Sequence, residues 1–500
     1  MRAAVLSVVL LAVGCGGGGG GDGGLGGGGG AVGGGVGGGG VGGGAGGTDG
    51  GADAGPGLIG EVLTCGRLGS AGGLGGGLDL QRYDFDGAEF PDALCNDGSP
   101  ALFYFRPAST VASRNRWVIQ LQGGGSCDTP KACAERWCSV NTNFGKQGMS
   151  AGPAPAATSG RGILERRPDN PFGTWNHVYV KYCSSDTWAG TRRDVVVTAP
   201  DPIDGGPRTF RYHALGSRII DATVDVLRRD AGVGLTWNLD GGAVALPDLD
   251  EAEIVVLAGA SGGGAGTIHN VDRLRALLRS HNVNCQGGPC PLVFRALIDS
   301  IVMPSLETLD FSTSTLCDAG VCDYVTFRDQ VAALGGPALW GIREDESCVS
   351  WHQANAPATR SACNDHGHVL RNHVTTPFFV RQGQTDSLLS SSLLALGFSV
   401  PDGGVLDLPT YAQLVRRDLR ALDAIQSTAE EGAAIAVVPG AFGPTCPDHE
   451  TLSDQAQVYG VFIDGGAAGP LGLFDVVQNW VTSTPPSIVV ADVPGDNTCP

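Results

Sequence analysis

The 500-residue chain is short of positive charge: 32 Lys plus Arg face 51 Asp plus Glu, a formal net charge of −19. A nucleic-acid partner demands a basic face, so that class is disfavoured. The imbalance also argues mildly against a strongly polyanionic polymer as substrate, although a local basic groove is compatible with an acidic whole. No CxxC pair and no HExxH occurs, so metal ligation has no local signature and neither metal nor cofactor is expected. No two acids are singled out for glycosidase chemistry. The leading apolar run, Ala3–Val13, is too short to span a bilayer.

What is present begins with that run. Met1-Arg2 followed by Ala3–Val13 reads as a signal peptide, and Ala12-Val13-Gly14-Cys15 resembles a bacterial lipoprotein cleavage box. On this reading Cys15 becomes the lipidated first residue, and several acyl chains on one cysteine suffice for stable anchoring. Ordinary secretion with cleavage nearby is the competing reading. Residues 16–57 are almost all glycine, bury nothing, and read as a disordered tether. For about 42 residues the coil estimate gives a reach of roughly 35 Å. Collagen's glycine period is absent. The 14 cysteines other than Cys15 are an even number, suited to disulfides in an oxidising compartment. Cys285/Cys290 and Cys317/Cys322 are placed to close small loops, while Cys127, Cys133 and Cys138 must choose partners. The expected organisation is therefore leader and lipobox over 1–15, tether over 16–57, and one catalytic domain over 58–500. Localisation follows as the cell envelope, lipid-anchored or secreted, with the membrane engaged only through the anchor.

In the domain, apolar runs at Ala101–Arg106, Trp117–Leu121, Asn176–Tyr182, Ile254–Ala258, Leu292–Ile298, Pro377–Val380 and Ala434–Val438 read as strands. Helical spacing recurs over Leu215–Arg229 and at Val271, Leu274, Leu277 and Leu278. No internal repeat is visible. Alternating strands and helices predict an α/β fold with a mostly parallel sheet covered on both faces.

Between one strand and its helix lies Gly259-Ala260-Ser261-Gly262-Gly263, a G-x-S-x-G nucleophile elbow. The turn is too tight for side chains beside a strained serine, and the helix N-terminus favours a developing oxyanion. An activated serine needs a base and a group to orient that base, in the order Ser, Asp or Glu, His. Asp386 and His449 follow in that order, each in a loop after a strand. Gly124 and Gly125, after the Trp117–Leu121 strand, are placed to complete an oxyanion hole with the N–H of Gly262. Asp299 is the competing acid. His366, His368 and His373 precede Asp386 and cluster in what reads as a solvated polar loop, while His269 reads as structural.

Several segments together resemble the pectin acetylesterase/Notum family of carboxylesterases. They are Cys95-Asn96-Asp97-Gly98-Ser99, WVIQLQGGGSC (Trp117–Cys127), YCSSDTWAG (Tyr182–Gly190), AGASGGGAGTIHNVDRL (Ala258–Leu274) and Asp299-Ser300. The resemblance implies an α/β-hydrolase-like fold, no metal, and ester hydrolysis through Ser261, Asp386 and His449. Two positions depart from it. The family's histidine is usually followed by Cys-Gln, where Glu450-Thr451 stand here, and Ser126 replaces an aromatic after the glycines.

The expected activity is a serine carboxylic ester hydrolase removing O-acetyl groups from an acylated polysaccharide. Two alternatives stay open: a deacylase for longer chains on protein or lipid, and a non-catalytic surface-binding lipoprotein.

Overall fold

The computed structural model describes residues 55–66, 80–140, 145–228, 235–239, 242–246, 249–424, 438–466, 469–482 and 484–499. The leader, Cys15 and all but the last three tether residues lie outside them. Ten strands build the main sheet: β1 (Leu80–Asp84), β2 (Leu102–Arg106), β3 (Arg116–Leu121), β4 (Ala157–Thr158), β5 (Asn176–Val180), β6 (Ile254–Ala260), β7 (Val293–Asp299), β8 (Phe378–Arg381), β9 (Gly440–Gly443) and β10 (Ile488–Val490). Their spatial order is β10-β9-β8-β7-β6-β3-β5-β2-β1-β4. From β10 to β5 all neighbours run parallel, and β2, β1 and β4 extend one edge in antiparallel. The helices that bear on the site are α1 (Gly216–Leu227), α2 (Gly262–His281), α3 (Glu346–Asn355), α4 (His366–Asn372) and α5 (Ser387–Leu394).

Strand β6 shows why this is a two-sided sheet. Every residue from Val255 to Ala260 is buried, so both faces of the strand are covered and alternation is absent. Helix α2 follows directly and packs back on β6 and β7. Its opening sequence, GGGAGT, has poor intrinsic helix propensity. The helix forms there because its first turns are wholly buried, so packing outweighs propensity.

Two expectations are corrected. The strand expected over Ala434–Val438 is β9 at Gly440–Gly443, with residues 434–437 outside the described residues. Its sequence, GAFG, lacks the branched residues that mark a strand. A Cβ at Gly440 would lie 2.4 Å from the Phe379 ring and 2.9 Å from Trp480, so neighbouring aromatics dictate the glycine. The histidines expected in a solvated loop lie instead on helix α4 and at its C-terminal cap, and His366 is buried.

All 14 cysteines other than Cys15 pair: Cys65–Cys138, Cys95–Cys183, Cys127–Cys133, Cys285–Cys290, Cys317–Cys322, Cys348–Cys363 and Cys446–Cys499. Both small loops anticipated from spacing are present. Seven disulfides fit an oxidising compartment. Among the described residues no helix is long and apolar enough to cross a membrane.

Candidate active site

Open α/β sheets bind ligands outside the carboxyl ends of their parallel strands. Ser261 follows β6, Gly123–Gly125 follow β3, Asp386 follows β8 and His449 follows β9.

Ser261 has φ 54° and ψ −123°, a backbone conformation that costs energy for any residue with a Cβ. It is held there by a hydrogen bond from its N–H to the Asp299 carbonyl at 2.9 Å, and it is 1% exposed. The glycines around it are a steric requirement. A Cβ on Gly259 would sit 2.1 Å from the Gly263 carbonyl oxygen, and one on Gly263 would sit 2.2 Å from that of Leu121. Strand β3, strand β6 and helix α2 thus meet backbone to backbone at the elbow.

The expected oxyanion loop is brought to the same place. The Cα face of Gly262 lies against Gly124 and Gly125, whose backbone nitrogens are 3.8 and 3.5 Å from a Cβ built on Gly262. The Arg136 guanidinium donates to the Gly124 carbonyl at 2.6 Å, which turns that peptide's oxygen away. The Tyr182–Gly190 block acts as a clamp on this loop. Trp188 donates its indole N–H to the Gln122 carbonyl at 3.0 Å, and the Gln122 side chain accepts from the Tyr182 N–H at 3.0 Å. The Asp186 carboxylate is the hub of the clamp, accepting from Ser184 Oγ at 2.6 Å, the Trp188 N–H at 3.1 Å and the Gly216 N–H at 2.7 Å, which ties in α1. Burial pushes its pKa up to about 6, opposed by those hydrogen bonds. The clamp also reaches the serine helix, since Gly266 of α2 packs on Trp188 so closely that a Cβ there would clash at 2.5 Å.

Asp386 caps helix α5. One carboxylate oxygen accepts from the N–H groups of Leu388 and Leu389, at 3.1 and 3.0 Å. The other accepts from His449 Nδ1 at 2.8 Å and from Gln382 Nε2 at 3.3 Å. Asp386 is 0% exposed, so this carboxylate has exchanged water for a helix N-terminus and an imidazole. With Nδ1 donating to Asp386, His449 keeps Nε2 as its acceptor atom, and that atom is buried. Asp386 and His449 are therefore joined as expected.

Asp299 is not the histidine's partner. Its oxygens accept from Ser300 Oγ at 2.8 Å, Arg381 Nη1 at 3.4 Å and the Leu452 N–H at 2.9 Å. Ser300 Oγ accepts in turn from the Glu450 N–H at 3.1 Å, and Arg381 donates to the Asp448 carbonyl at 3.4 Å. Asp299 and Ser300 thus hold the backbone after His449, and Arg381 holds the residue before it. His269 is structural as expected: it meets His366 at 3.3 Å, and burial lowers its pKa to about 3, so it stays neutral.

One residue of the site was not anticipated. Glu450 has φ 62°, and its carboxyl contacts the Ser261 side chain. Its Oε1 is buried, and a Cβ on Gly123 would fall 2.0 Å from that atom. Burial pushes its pKa up to about 6, with the His449 imidazole opposing the rise. The only signal in the sequence was negative: Glu450 stands where the family pattern has another residue.

The Pectinacetylesterase family model matches residues 83–236, which include the Gly123–Gly125 loop and the Tyr182–Gly190 clamp and end before Ser261. The palmitoleoyl-protein carboxylesterase NOTUM of Homo sapiens is 31% identical over 363 residues, 72% of this chain and 59% of that protein. The palmitoleoyl-protein carboxylesterase notum2 of Xenopus laevis is 34% identical over 233 residues, 45% of this chain and 39% of that protein. The chain is related to the pectin acetylesterase/Notum family. It spans less than two thirds of the length of these curated relatives. Among solved structures, that of the Wnt deacylase Notum from Drosophila matches with a TM-score of 0.56 at 22% identity, covering 83% of this chain and 97% of that one. That likeness shows the fold, an α/β-hydrolase-like sheet.

Proposed function

We propose that the protein is a serine carboxylic ester hydrolase with Ser261 as nucleophile, His449 as general base and Asp386 as the group that orients the base. The observation that carries this reading is the 2.8 Å hydrogen bond from His449 Nδ1 to an Asp386 carboxylate fixed on a helix N-terminus. That bond fixes the tautomer in which Nε2 accepts the Ser261 hydroxyl proton. The serine oxygen then attacks the ester carbonyl, and the N–H groups of Gly262 and of the Gly124–Gly125 loop hold the oxyanion. Collapse releases the alcohol, which takes the proton from His449, and leaves the acyl chain on Ser261. Water, deprotonated by the same histidine, completes hydrolysis.

For substrate, the reading favoured by the Pectinacetylesterase match is an O-acetylated polysaccharide. The palmitoleoyl-protein carboxylesterases among the relatives favour a second, removal of a longer acyl chain from protein. A ladder of p-nitrophenyl esters from acetyl to palmitoyl separates them. Activity confined to the shortest esters supports the polysaccharide deacetylase, and a maximum at long chains supports the deacylase. Ser261→Ala is expected to abolish hydrolysis throughout while the fold is kept. Retention of wild-type activity by that variant overturns Ser261 as the nucleophile, whereas absence of hydrolysis by the wild-type protein across the whole ladder leaves a non-catalytic surface lipoprotein. Membrane attachment through Cys15 and a tether over 16–57 completes the organisation, and Cys15→Ala is expected to move the protein from the membrane fraction to the soluble one.

A further inference from the structure

Outside the site just described, three histidines converge on one point. His352 lies on α3, His368 lies on α4, and His373 is the residue at the C-terminal cap of α4. One nitrogen from each, together with Cys348 Sγ, lies within 4.8 Å of the others. The ring centroids are 5.2, 5.3 and 5.8 Å apart pairwise. Cys348 is joined to Cys363, so its sulfur is no thiolate and does not count as a donor.

The outward-facing nitrogens decide what the inward-facing ones can be. His368 Nδ1 faces the Glu307 carboxylate, which can only accept, and more distantly Asn372 Nδ2 at 3.3 Å; the closer carboxylate assigns the proton to Nδ1. His352 Nδ1 faces the Ala356 carbonyl at 3.4 Å and Thr359 Oγ1 at 3.0 Å. With the Thr359 hydroxyl donating to the same carbonyl at 3.0 Å, both neighbours of this Nδ1 accept and it too carries the proton. In the neutral rings this leaves both Nε2 atoms as bare lone pairs, and they face each other at 3.1 Å. Two lone pairs at that distance repel unless a cation lies between them. Two nitrogen ligands at about 2.0–2.1 Å on a tetrahedral zinc are themselves roughly 3.3–3.4 Å apart, so the observed gap is close to that of a chelating pair.

We propose that His352, His368 and His373 bind a divalent transition-metal cation of the Zn²⁺ type, with the fourth coordination position open to water. The surroundings agree with what such a site requires. A carboxylate behind one ligand and a carbonyl behind another are the outer contacts that orient metal-bound imidazoles. The Cys348–Cys363 disulfide ties α3 to the turn before α4 and so limits how far His352 and His368 can separate. His368 and His373 are partly exposed, which leaves an entry path. In the sequence these ligands fall outside any compact motif, His352 and His368 being 16 residues apart. The competing arrangements put a proton between the two rings: His368 as an imidazolium donating Nε2–H to His352, or the Thr359 hydroxyl donating to His352 Nδ1 and His352 Nε2–H donating to His368.

The test uses the full-length protein stripped with chelator and titrated with Zn²⁺ in a calorimeter. The expected result is one tightly bound ion per chain, with X-ray absorption showing nitrogen ligands at about 2.0–2.1 Å. Binding is expected to vanish in His352→Asn/His373→Gln. It is expected to weaken about 10–100-fold in Glu307→Gln, which keeps every ligand. Ser261→Ala is expected to bind as wild type does. Trp351, 50% exposed and 4.9 Å from the His352 ring, gives a second readout, since Cu²⁺ bound there quenches its fluorescence. No stoichiometric uptake by the wild-type protein, or uptake undiminished in the double variant, overturns the site in favour of the shared proton.

Discussion

The two halves of the candidate active site are built in opposite ways. The serine half is local: strand β6, Ser261 and helix α2 are consecutive, and the strained φ of 54° is imposed by backbones packed too closely for anything but glycine. The histidine half is assembled from a distance. His449 sits on a loop with no regular structure, held by Asp386 63 residues away, by Leu452 N–H on Asp299 across 153, and by Glu450 N–H on Ser300 across 150. A disulfide, Cys446–Cys499, fixes the loop to the C-terminal segment. The Ser261 elbow therefore resists all changes but those at its glycines, whereas the position of His449 depends on many contacts from distant parts of the chain.

The largest effect is expected where the two halves meet chemically. Asp386→Asn keeps the shape but offers an amide N–H or carbonyl in place of the carboxylate, and the tautomer of His449 is no longer fixed. A fall in kcat on the order of 10⁴ is expected, with unchanged thermal stability, measured on p-nitrophenyl acetate. Next comes the serine half itself. Gly263→Ala drives a Cβ to 2.2 Å from the Leu121 carbonyl oxygen, against backbone that cannot yield as a side chain would. Destabilisation of about 3 kcal/mol or more is expected in urea denaturation, with loss of activity following loss of fold. The histidine half should separate these two properties. Removing Cys446–Cys499 as the double serine variant opens a 53-residue loop, worth about 4 kcal/mol on the chain-entropy view. Activity at temperatures well below the transition is expected to fall before structure does, because the loop that carries His449 is the part released. If the elbow fails first by hydrogen exchange, the contrast between the halves is wrong.

The smallest effect concerns Glu450. Its carboxyl is raised to about 6 by burial beside Ser261, so above that pH it puts a negative charge where the oxyanion must form. The folded protein holds this proton more tightly than the unfolded chain. The stability it contributes is therefore present below the ordinary glutamate range and lost as pH rises through about 6. Glu450→Gln cannot ionise. It is expected to remove the Glu450 contribution near pH 6 from the kcat/KM profile and to gain at least roughly fivefold at pH 8, since about 1 kcal/mol is the bulk-water value for unit charges 4 Å apart and a buried pair interacts more strongly. A profile unchanged by the substitution excludes Glu450 as a contributor.

The same contrast explains what could be read before the fold was seen. The elbow was legible because its strand, turn and helix are written in consecutive residues. The order Ser261, Asp386, His449 was legible because it follows from strands in sequence, and the structure joins Asp386 to His449. Strand β9 was misplaced because Gly440–Gly443 owes its existence to Phe379 and Trp480 and not to its own propensity. The α4 histidines were misread because polar residues give no sign of being packed against α2 and α3. Glu450 gave no such sign because its burial comes from Gly123 and Ser261, which follow two other strands.

The central claim is that Ser261 is activated by His449 and Asp386. Covalent labelling with a fluorophosphonate probe, followed by mass spectrometry of the modified peptide, tests it most directly, because the probe reacts only with an activated serine. Stoichiometric modification of Ser261 in the wild-type protein, lost in His449→Ala while that variant stays folded, is the expected result. Modification of a different serine, or equal labelling of His449→Ala, contradicts it.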